Sequence, residues 1–292
     1  MIKYNNSNIN DWYYYESNLI KVYRNNAVVY QKIGSNDYLR FISKGSGTFT
    51  FFDNGSDTAN TLSYSLDSGR TWTSLSNGSS TPSVSSGDVV MWKGENLSIV
   101  SGKGIGTFSS TTEFDAEGNI MSLLYGDNFI NRKSLSGKNY AFMNLFSGCT
   151  TINSAENLEL PATTLSQNCY TNMFNRATNL TAPPPLPATT LANGCYFNMF
   201  YCTPTSSSMV VNESYLLPAT TLVQDCYRQM FYGRSGFDKI TCLATSGINE
   251  NNSTTDWLRN AASTGTFTKD SNTTWPTGNS GTSTWTVVDY IE

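Results

Sequence analysis

The chain has no histidine, few charged residues and no long apolar segment. Only 14% of its 292 residues are charged, and the net charge is −4. Without histidine, the usual Ser/His and Cys/His nucleophilic arrangements are excluded. There is no run of about 20 apolar residues, so we expect no membrane span. No basic stripe is present, so we expect no nucleic-acid partner.

Few other patterns in the sequence could form a catalytic, metal-binding or phosphate-binding site. The six cysteines form no Cys-x-x-Cys pair, which disfavours a zinc site. Asp115–Asn119 is the densest acidic stretch, but it lacks the alternating oxygen ligands of a calcium loop, so a solvated turn between domains is favoured. Gly102-Lys103-Gly104 lacks the rest of a phosphate loop. We therefore expect no enzymatic activity, no metal and no cofactor, although glycoside hydrolysis by two carboxylates stays open in principle.

The dominant pattern is a repeat that begins Leu-Pro-Ala-Thr-Thr-Leu and ends in a Cys-Tyr-x-x-Met-Phe box. It occurs at Leu160–Phe174, Leu186–Phe200 and Leu217–Phe231, and its first leucines are 26 and then 31 residues apart. A period in this range predicts a solenoid, in which each coil buries its apolar side against its neighbours. Such a chain is built to present a surface.

One unit predicts the shape of one coil. Pro161 favours an extended start. From Leu165 onward, apolar residues at Cys169, Tyr170, Met173 and Phe174 have the spacing of about two helical turns. The predicted coil is therefore a strand, a short helix and a polar return loop.

The residues that recur in every unit should stack into internal ladders. Stacked cysteines could come close enough for disulfides, but buried free thiols acting as small hydrophobes are favoured. The predicted ladder residues are Cys169, Cys195, Cys226, Met173, Met199, Met230, Phe174, Phe200 and Phe231.

Weaker copies flank the three clear units. Ala141–Phe146 is a degenerate box upstream, Ile240–Thr245 is a further extended segment, and Trp257-Leu258 takes the place of Met-Phe. The end of a solenoid must be covered, and we expect Trp275 and Trp285 to cover the last coil.

The repeated units resemble the BspA-like leucine-rich-repeat surface proteins of Bacteroidetes and their phages, from about Asn119 to the C-terminus. This resemblance implies a leucine-rich-repeat-like solenoid and a virion structural protein of a crAss-like Bacteroides phage. Ala177 and Arg234 depart from it, because many units carry cysteine there. Thr205–Tyr215 also departs by lengthening one return loop, which should bulge from one face. The resemblance does not identify a ligand.

The N-terminal segment predicts a β-hairpin, with strands at Leu19–Arg24 and Ala27–Ile33 around an Asn25-Asn26 turn. A lone hairpin is marginally stable, so it needs a partner. Its aromatic residues could pack onto the hairpin or the next domain, or dock onto another virion protein, and both roles stay open. The candidate docking residues are Trp12, Tyr13, Tyr14, Tyr15, Tyr23 and Tyr30.

Residues 36–118 predict a β-sandwich of immunoglobulin-like type, because short β-prone runs alternate with turn residues. Ser65–Trp72 also fits the Asp-box of sialidases. We favour a turn stabilised by Asp67, with Trp72 packed in the sandwich. The six candidate strands are Tyr38–Ile42, Gly47–Phe52, Leu62–Leu66, Thr71–Leu75, Val89–Trp92 and Gly106–Ser110.

These observations predict a mixed, mainly β chain of four parts. They are an attachment hairpin (1–35), the β-sandwich (36–118), the leucine-rich-repeat-like α/β solenoid (119–236) and a C-terminal cap (237–292).

The predicted function is that of a non-enzymatic virion protein in a head or tail appendage. The first residues do not have the pattern of a signal peptide, while the polar, aromatic-rich composition is typical of extracellular adhesive modules. A virion protein, assembled in the host cytoplasm and exposed on the particle, reconciles the two. We expect it to bind other virion proteins through the N-terminus, to form a homo-oligomer, and to contact a host glycan or protein receptor. The alternatives are a bacterial surface adhesin and, less favoured, a glycan-degrading phage enzyme.

Overall fold

The computed structural model describes residues 37–53, 62–99, 102–206, 208–275 and 284–290, together with the backbone of four strands among the first 33 residues. The fold is mainly β, with several sheets and one short α-helix within this part of the chain. The elements, in chain order, are β1 (Ile2–Asn5), β2 (Asp11–Glu16), β3 (Leu19–Arg24), β4 (Ala27–Ile33), β5 (Leu39–Ser43), β6 (Phe49–Phe52), β7 (Ser63–Ser65), β8 (Thr73–Ser74), β9 (Val89–Lys93), β10 (Thr107–Ser110), β11 (Phe114–Asn119), α1 (Ser122–Tyr125), β12 (Ile152–Ser154), β13 (Leu158–Glu159), β14 (Tyr215–Leu217), β15 (Lys239–Cys242), β16 (Thr266–Lys269) and β17 (Thr286–Asp289).

The N-terminal strands form an antiparallel sheet in the order β1-β2-β3-β4. The pairing of β3 with β4 confirms the predicted strands of the hairpin, while its Asn25-Asn26 turn lies outside the described residues. The sheet has two more strands than predicted, and the second contains the Trp12–Tyr15 cluster. The hairpin therefore gains neighbouring strands within its own sheet.

The six strands predicted between residues 38 and 110 are all present, with small differences at their ends. Five lie in two sheets joined by an aromatic core, and the sixth, β8, extends the larger sheet at its edge. The Phe41 ring of β5 lies 5.3 Å from that of Phe49 in β6 and 4.9 Å from that of Phe108 in β10. Trp92 completes this core, with its ring 5.0 Å from that of Phe108. Aromatic side chains thus hold the large sheet against the β6–β10 pair.

The expectation of a solvated turn at Asp115–Asn119 is wrong, because this stretch belongs to the buried strand β11. It pairs antiparallel with β5 and parallel with β12 and β13, so its backbone has neighbours on both sides. Its carboxylates have cationic partners. Glu117 lies 2.7 Å from Arg40, and Asp115 lies 2.5 Å from Lys44. The strand connects the first sheets to the stacked coils that follow.

The short helix predicted from Leu165 to Phe174 is also wrong. This segment is wound as successive turns, because a residue with positive φ recurs every four positions, at Asn168, Asn172 and Arg176. A left-handed residue interrupts an α-helix, and asparagine tolerates that conformation better than most residues. The spacing of four that resembled a helical stripe therefore reflects a repeated turn.

Backbone hydrogen bonds hold the boxes together, and they alternate in direction. Tyr170 N–H donates to the Cys195 carbonyl of the next coil at 3.0 Å, and Phe174 N–H donates to Met199 at 2.8 Å. The alternate amides, those of Thr171 and Met173, donate to carbonyls three residues earlier in the same coil. The backbone N–H groups of each turn therefore find carbonyl acceptors both within their own coil and in the next one.

The flanking segments take the predicted places in this stack. Phe146 N–H donates to Met173, so the Ala141–Phe146 box precedes the first clear unit. Phe231 N–H donates to Trp257, so Trp257-Leu258 follows the last one in the register of Met-Phe. The Trp275 ring then stacks 5.5 Å from that of Trp257. One continuous set of buried apolar side chains extends from Leu39 to Trp285.

Candidate functional site

The nine predicted ladder residues all lie inside the stack. Each has an exposed fraction of 0%. The phenylalanine rings stack nearly parallel, with centroids 5.5 Å apart between Phe174 and Phe200 and 5.3 Å apart between Phe200 and Phe231. A parallel column of tyrosines includes Tyr170 and Tyr196, whose centroids are 5.7 Å apart. The shared Cys, Tyr, Met and Phe side chains of the boxes therefore offer no surface to a ligand.

The cysteines are buried free thiols. Burial raises the pKa of Cys169 and of Cys226 to about 12, since the low-dielectric interior disfavours the thiolate. A thiol is a weak nucleophile and a weak metal ligand until it loses its proton. The arrangement therefore fits packing and does not supply a reactive centre.

A surface groove with a volume of about 580 Å³ lies beside the long return loop. We call it the proline groove. One wall is the segment Ala182–Pro187, and the other is the segment Val210–Pro218, which includes β14. Val210 and Leu216 project apolar side chains that are 54% and 46% exposed. A concave, mainly apolar site of a few hundred Å³ is typical of a binding site.

The groove opens where the hydrogen-bond ladder on this side of the coils is interrupted. Isolated bridges join Thr164 to both Ser134 and Thr190, and another joins Thr221 to Ser246. Between Thr190 and Thr221 the described residues contain no such bridge. On the box side the same two coils remain connected, for example by Phe200 N–H to Met230 at 2.9 Å. These two coils are thus joined by backbone hydrogen bonds on the box side, while the bridges on the extended side are interrupted.

The proline run explains the interruption. Four of the nine prolines lie between residues 183 and 187, where the preceding coil has the strand β13 and the following coil has β14. Proline has no N–H, so it cannot donate to a neighbouring strand. Leu217 O accepts from Leu243 N–H, which places the backbone groups of Leu217 on the β15 side. By alternation along a parallel strand, those of Leu216 point towards the groove.

The charge of the groove is negative. Among the described residues that line it, Glu156 and Glu213 are charged, and both are exposed. The nearest cation that the structure connects to it is Lys239, whose ammonium donates to the Asn212 carbonyl at 3.2 Å. That lysine supports the wall and does not line the groove. The rim therefore favours a cationic ligand over an anionic one.

The aromatic lining residue is part of the scaffold. Tyr215 is 9% exposed, and its hydroxyl donates to the Pro184 carbonyl at 2.5 Å. Its ring also contacts that of Phe231, with centroids 5.5 Å apart. Tyr215 therefore links β14 to the proline run through its hydroxyl group. Because its ring is buried, the ring face is not accessible for stacking on a sugar.

The Asp-box segment folds as a self-contained turn. Asp67 accepts hydrogen bonds from the Thr71 amide at 2.9 Å and the Thr71 hydroxyl at 2.7 Å, and the Ser65 hydroxyl also donates to it. These bonds lower the pKa of Asp67 to about 2. Trp72 lies outside the buried aromatic core of the neighbouring sheets and is half-buried, with its ring 4.9 Å from that of Tyr38. The prediction of a turn stabilised by Asp67 is confirmed. The prediction that Trp72 packs in the core is wrong, because its side chain is half-buried at the surface.

The other sequence candidates do not converge on this groove. Trp12, Tyr13, Tyr14 and Tyr15 lie in β2, Tyr23 in β3 and Tyr30 in β4; their side chains are outside the described part, so their docking role stays a prediction. Lys103 lies in a surface turn. The groups of three or more metal-ligating side chains that could hold an ion are absent from the described residues.

Sequence reasoning singled out the Thr205–Tyr215 insertion but missed the facing proline run. The insertion does form one wall of the groove, with Val210 N–H donating to the Thr181 carbonyl at 3.0 Å. The available signal was the contrast between Pro183–Pro187 and the single proline of the other two units. That contrast identifies the coil whose prolines cannot donate backbone hydrogen bonds to the strand of the next coil.

Comparison of the chain with protein-family models, curated proteins and solved structures found no match. Among the described residues, the helices are too short to cross a membrane.

Proposed function

We propose that this chain is a non-enzymatic virion protein of a Bacteroides-infecting phage that displays the proline groove to a protein partner. In this proposal residues 36–118 form an immunoglobulin-like sandwich, and the stacked coils that follow form a leucine-rich-repeat-type solenoid. The N-terminal aromatic residues attach the chain to the particle, and the chain assembles as a homo-oligomer. The phage assignment is supported by the resemblance of the repeated units.

The observation that carries the display function is the contrast between the buried box residues and an exposed groove formed mostly by unit-specific residues. The shared apolar side chains of the boxes, such as Met199 and Phe200, are fully buried. The groove is lined mostly by side chains that differ between units, such as Pro185 and Val210, together with shared ones such as Pro187. A surface made from the variable residues of a repeat is how solenoid proteins present binding sites.

The location is tested by mass spectrometry of purified particles of the phage that encodes this chain, with immunogold labelling of intact virions. We expect the chain among the structural proteins and the label on an appendage. Absence of the chain from the particles would contradict the virion assignment. Release of reducing sugar from host capsule by the purified protein would contradict the non-enzymatic assignment.

A further inference from the structure

We propose that the proline groove binds an extended peptide segment of a partner protein, in which apolar side chains alternate with lysine or arginine. This inference rests on the proposed display function and assigns a ligand class to it. Three properties of the groove carry it: its apolar walls, its pattern of hydrogen-bonding groups and its charge.

The apolar walls suit a narrow, extended ligand. Pro183, Pro185 and Pro187 line one side, and Val210 and Leu216 line the other. The prolines have fixed φ and no side-chain polar groups, so this wall is rigid and loses little conformational entropy on binding. Val210 and Leu216 are among the most exposed large apolar side chains of the described residues, and a ligand would remove them from water.

The backbone groups suit a peptide. The prolines of this wall contribute carbonyl acceptors and no amide donors. Leu216 directs its N–H and C=O towards the groove, and no other described residue exchanges a backbone hydrogen bond with them across it. A peptide in extended conformation supplies both a donor and an acceptor to such a strand edge, and recognition by strand addition works in this way.

The charge selects the side chains of the peptide. Glu156 and Glu213 lie on the rim, and the described lining residues include no cation. Lys239 is engaged with the Asn212 carbonyl behind the wall. An ammonium or guanidinium group on the ligand can therefore approach these carboxylates, while an acidic peptide or a nucleic-acid phosphate is repelled.

A sugar ligand fits the groove less well. Protein sites for sugars commonly use an exposed aromatic ring face together with several polar side chains. Here the lining ring belongs to the buried Tyr215, and the Ser214 hydroxyl is already paired with that of Thr241 at 2.7 Å. The observations therefore favour a peptide over a glycan.

The experiment measures fluorescence anisotropy of three labelled, end-capped peptides with the full chain. Their sequences are Ser-Val-Lys-Val-Lys-Val-Ser, the same peptide with glutamate in place of lysine, and the same peptide with serine in place of lysine. We expect the lysine peptide to bind at least about tenfold more tightly than the glutamate peptide, with affinity that falls as salt is raised. Equal binding of the three peptides, or no binding, would overturn the proposal.

Matched variants locate the site. The double variant Glu156→Lys and Glu213→Lys should reverse the preference towards the glutamate peptide, and Leu216→Asp should weaken all three peptides. The controls Glu250→Lys and Val288→Asp change exposed residues away from the groove and should leave binding unchanged. If the controls have the same effect as the groove variants, the site assignment is wrong. Circular dichroism and thermal unfolding establish that every variant is folded.

Other occupants give distinct outcomes. Sedimentation equilibrium that shows dimers lost in Leu216→Asp would place a second copy in the groove, and binding to a glycan array lost in the same variant would place a sugar there. Either result overturns the peptide assignment. The virion assignment fails separately, because it depends on whether the chain occurs in particles and not on peptide affinity.

Discussion

The two sides of the stacked coils differ in how they are held together. On the box side every coil is connected to the next by alternate backbone hydrogen bonds and by stacked rings, including those of Phe174 and Phe200. On the extended side the connection between the second and third clear units is interrupted at Pro183–Pro187. The comparison shows that one side supplies stability, which allows the other to open without separating the coils.

The largest expected effect comes from removing a ring on the box side. Phe200→Ala should lower the free energy of unfolding by about 4 kcal/mol, because it leaves a cavity in a fully buried column. On the extended side, Leu216→Ala should change it by less than about 0.5 kcal/mol, since this side chain is already 46% exposed. Urea unfolding of both variants tests the comparison. Similar losses in the two variants would show that the sides do not differ in this way.

A second test concerns Arg234, which is buried on the box side. Its guanidinium donates to the carbonyls of Phe200 at 2.7 Å, Ala177 at 2.9 Å and Phe174 at 3.4 Å, so it joins successive coils. Arg234→Ala should lower the free energy of unfolding by about 3 kcal/mol, through the lost bonds and the cavity. The exposed Arg176→Ala is the matched control and should lie within about 0.5 kcal/mol of the parent.

The buried thiols of the boxes predict a loss of stability at alkaline pH. The pKa values of Cys169 and Cys226 are raised from 9.0 to about 12 in the folded chain. Their contribution is therefore fully present below pH 9 and is lost as the pH rises towards 12, because the unfolded chain releases these protons first. At pH 10 the two thiols together should lower the free energy of unfolding by about 3 kcal/mol.

The measurement is urea unfolding at pH 8 and pH 10 for the parent and for the double variant Cys169→Ala and Cys226→Ala. The variant should show a smaller decrease between the two pH values. An unchanged decrease would assign the alkaline effect to other groups.

The smallest expected effect concerns the left-handed turns of the boxes. Asn172 has a φ of 56°, and replacing it with alanine should lower the free energy of unfolding by about 1 kcal/mol. Asn172→Gly should change it less, because glycine adopts positive φ without a steric cost. Equal effects of the two substitutions would show that backbone conformation is not the cause.

The sequence predicted the elements whose signals are local. The alternation of apolar residues located strands such as β5 and β9, and the repeat placed Met173 and Phe174 inside the coils. It failed for the box conformation, since an apolar spacing of four fits both a helix and a four-residue turn. The asparagines at 168 and 172 were the signal that separates the two.

The candidate site was predicted only in part. The insertion marked one wall because it lengthens a repeat, and length is visible in a single sequence. The other wall comes from Pro183–Pro187, and its effect depends on which strand lies opposite. Glu117 shows the same limit, because its place in the acidic stretch did not reveal the pairing with Arg40, which is 77 residues away.

By itself, the sequence determined the repeat and the residues that the repeat buries, because both follow from the spacing of apolar side chains along the chain. Only the tertiary structure decided that β11 connects the first sheets to the coils and that a groove opens beside β14. Both depend on hydrogen bonds between strands that are distant in sequence. The missing N–H groups of Pro183–Pro187 open a groove only because β14 lies opposite them, and the sequence alone does not show which strand lies there.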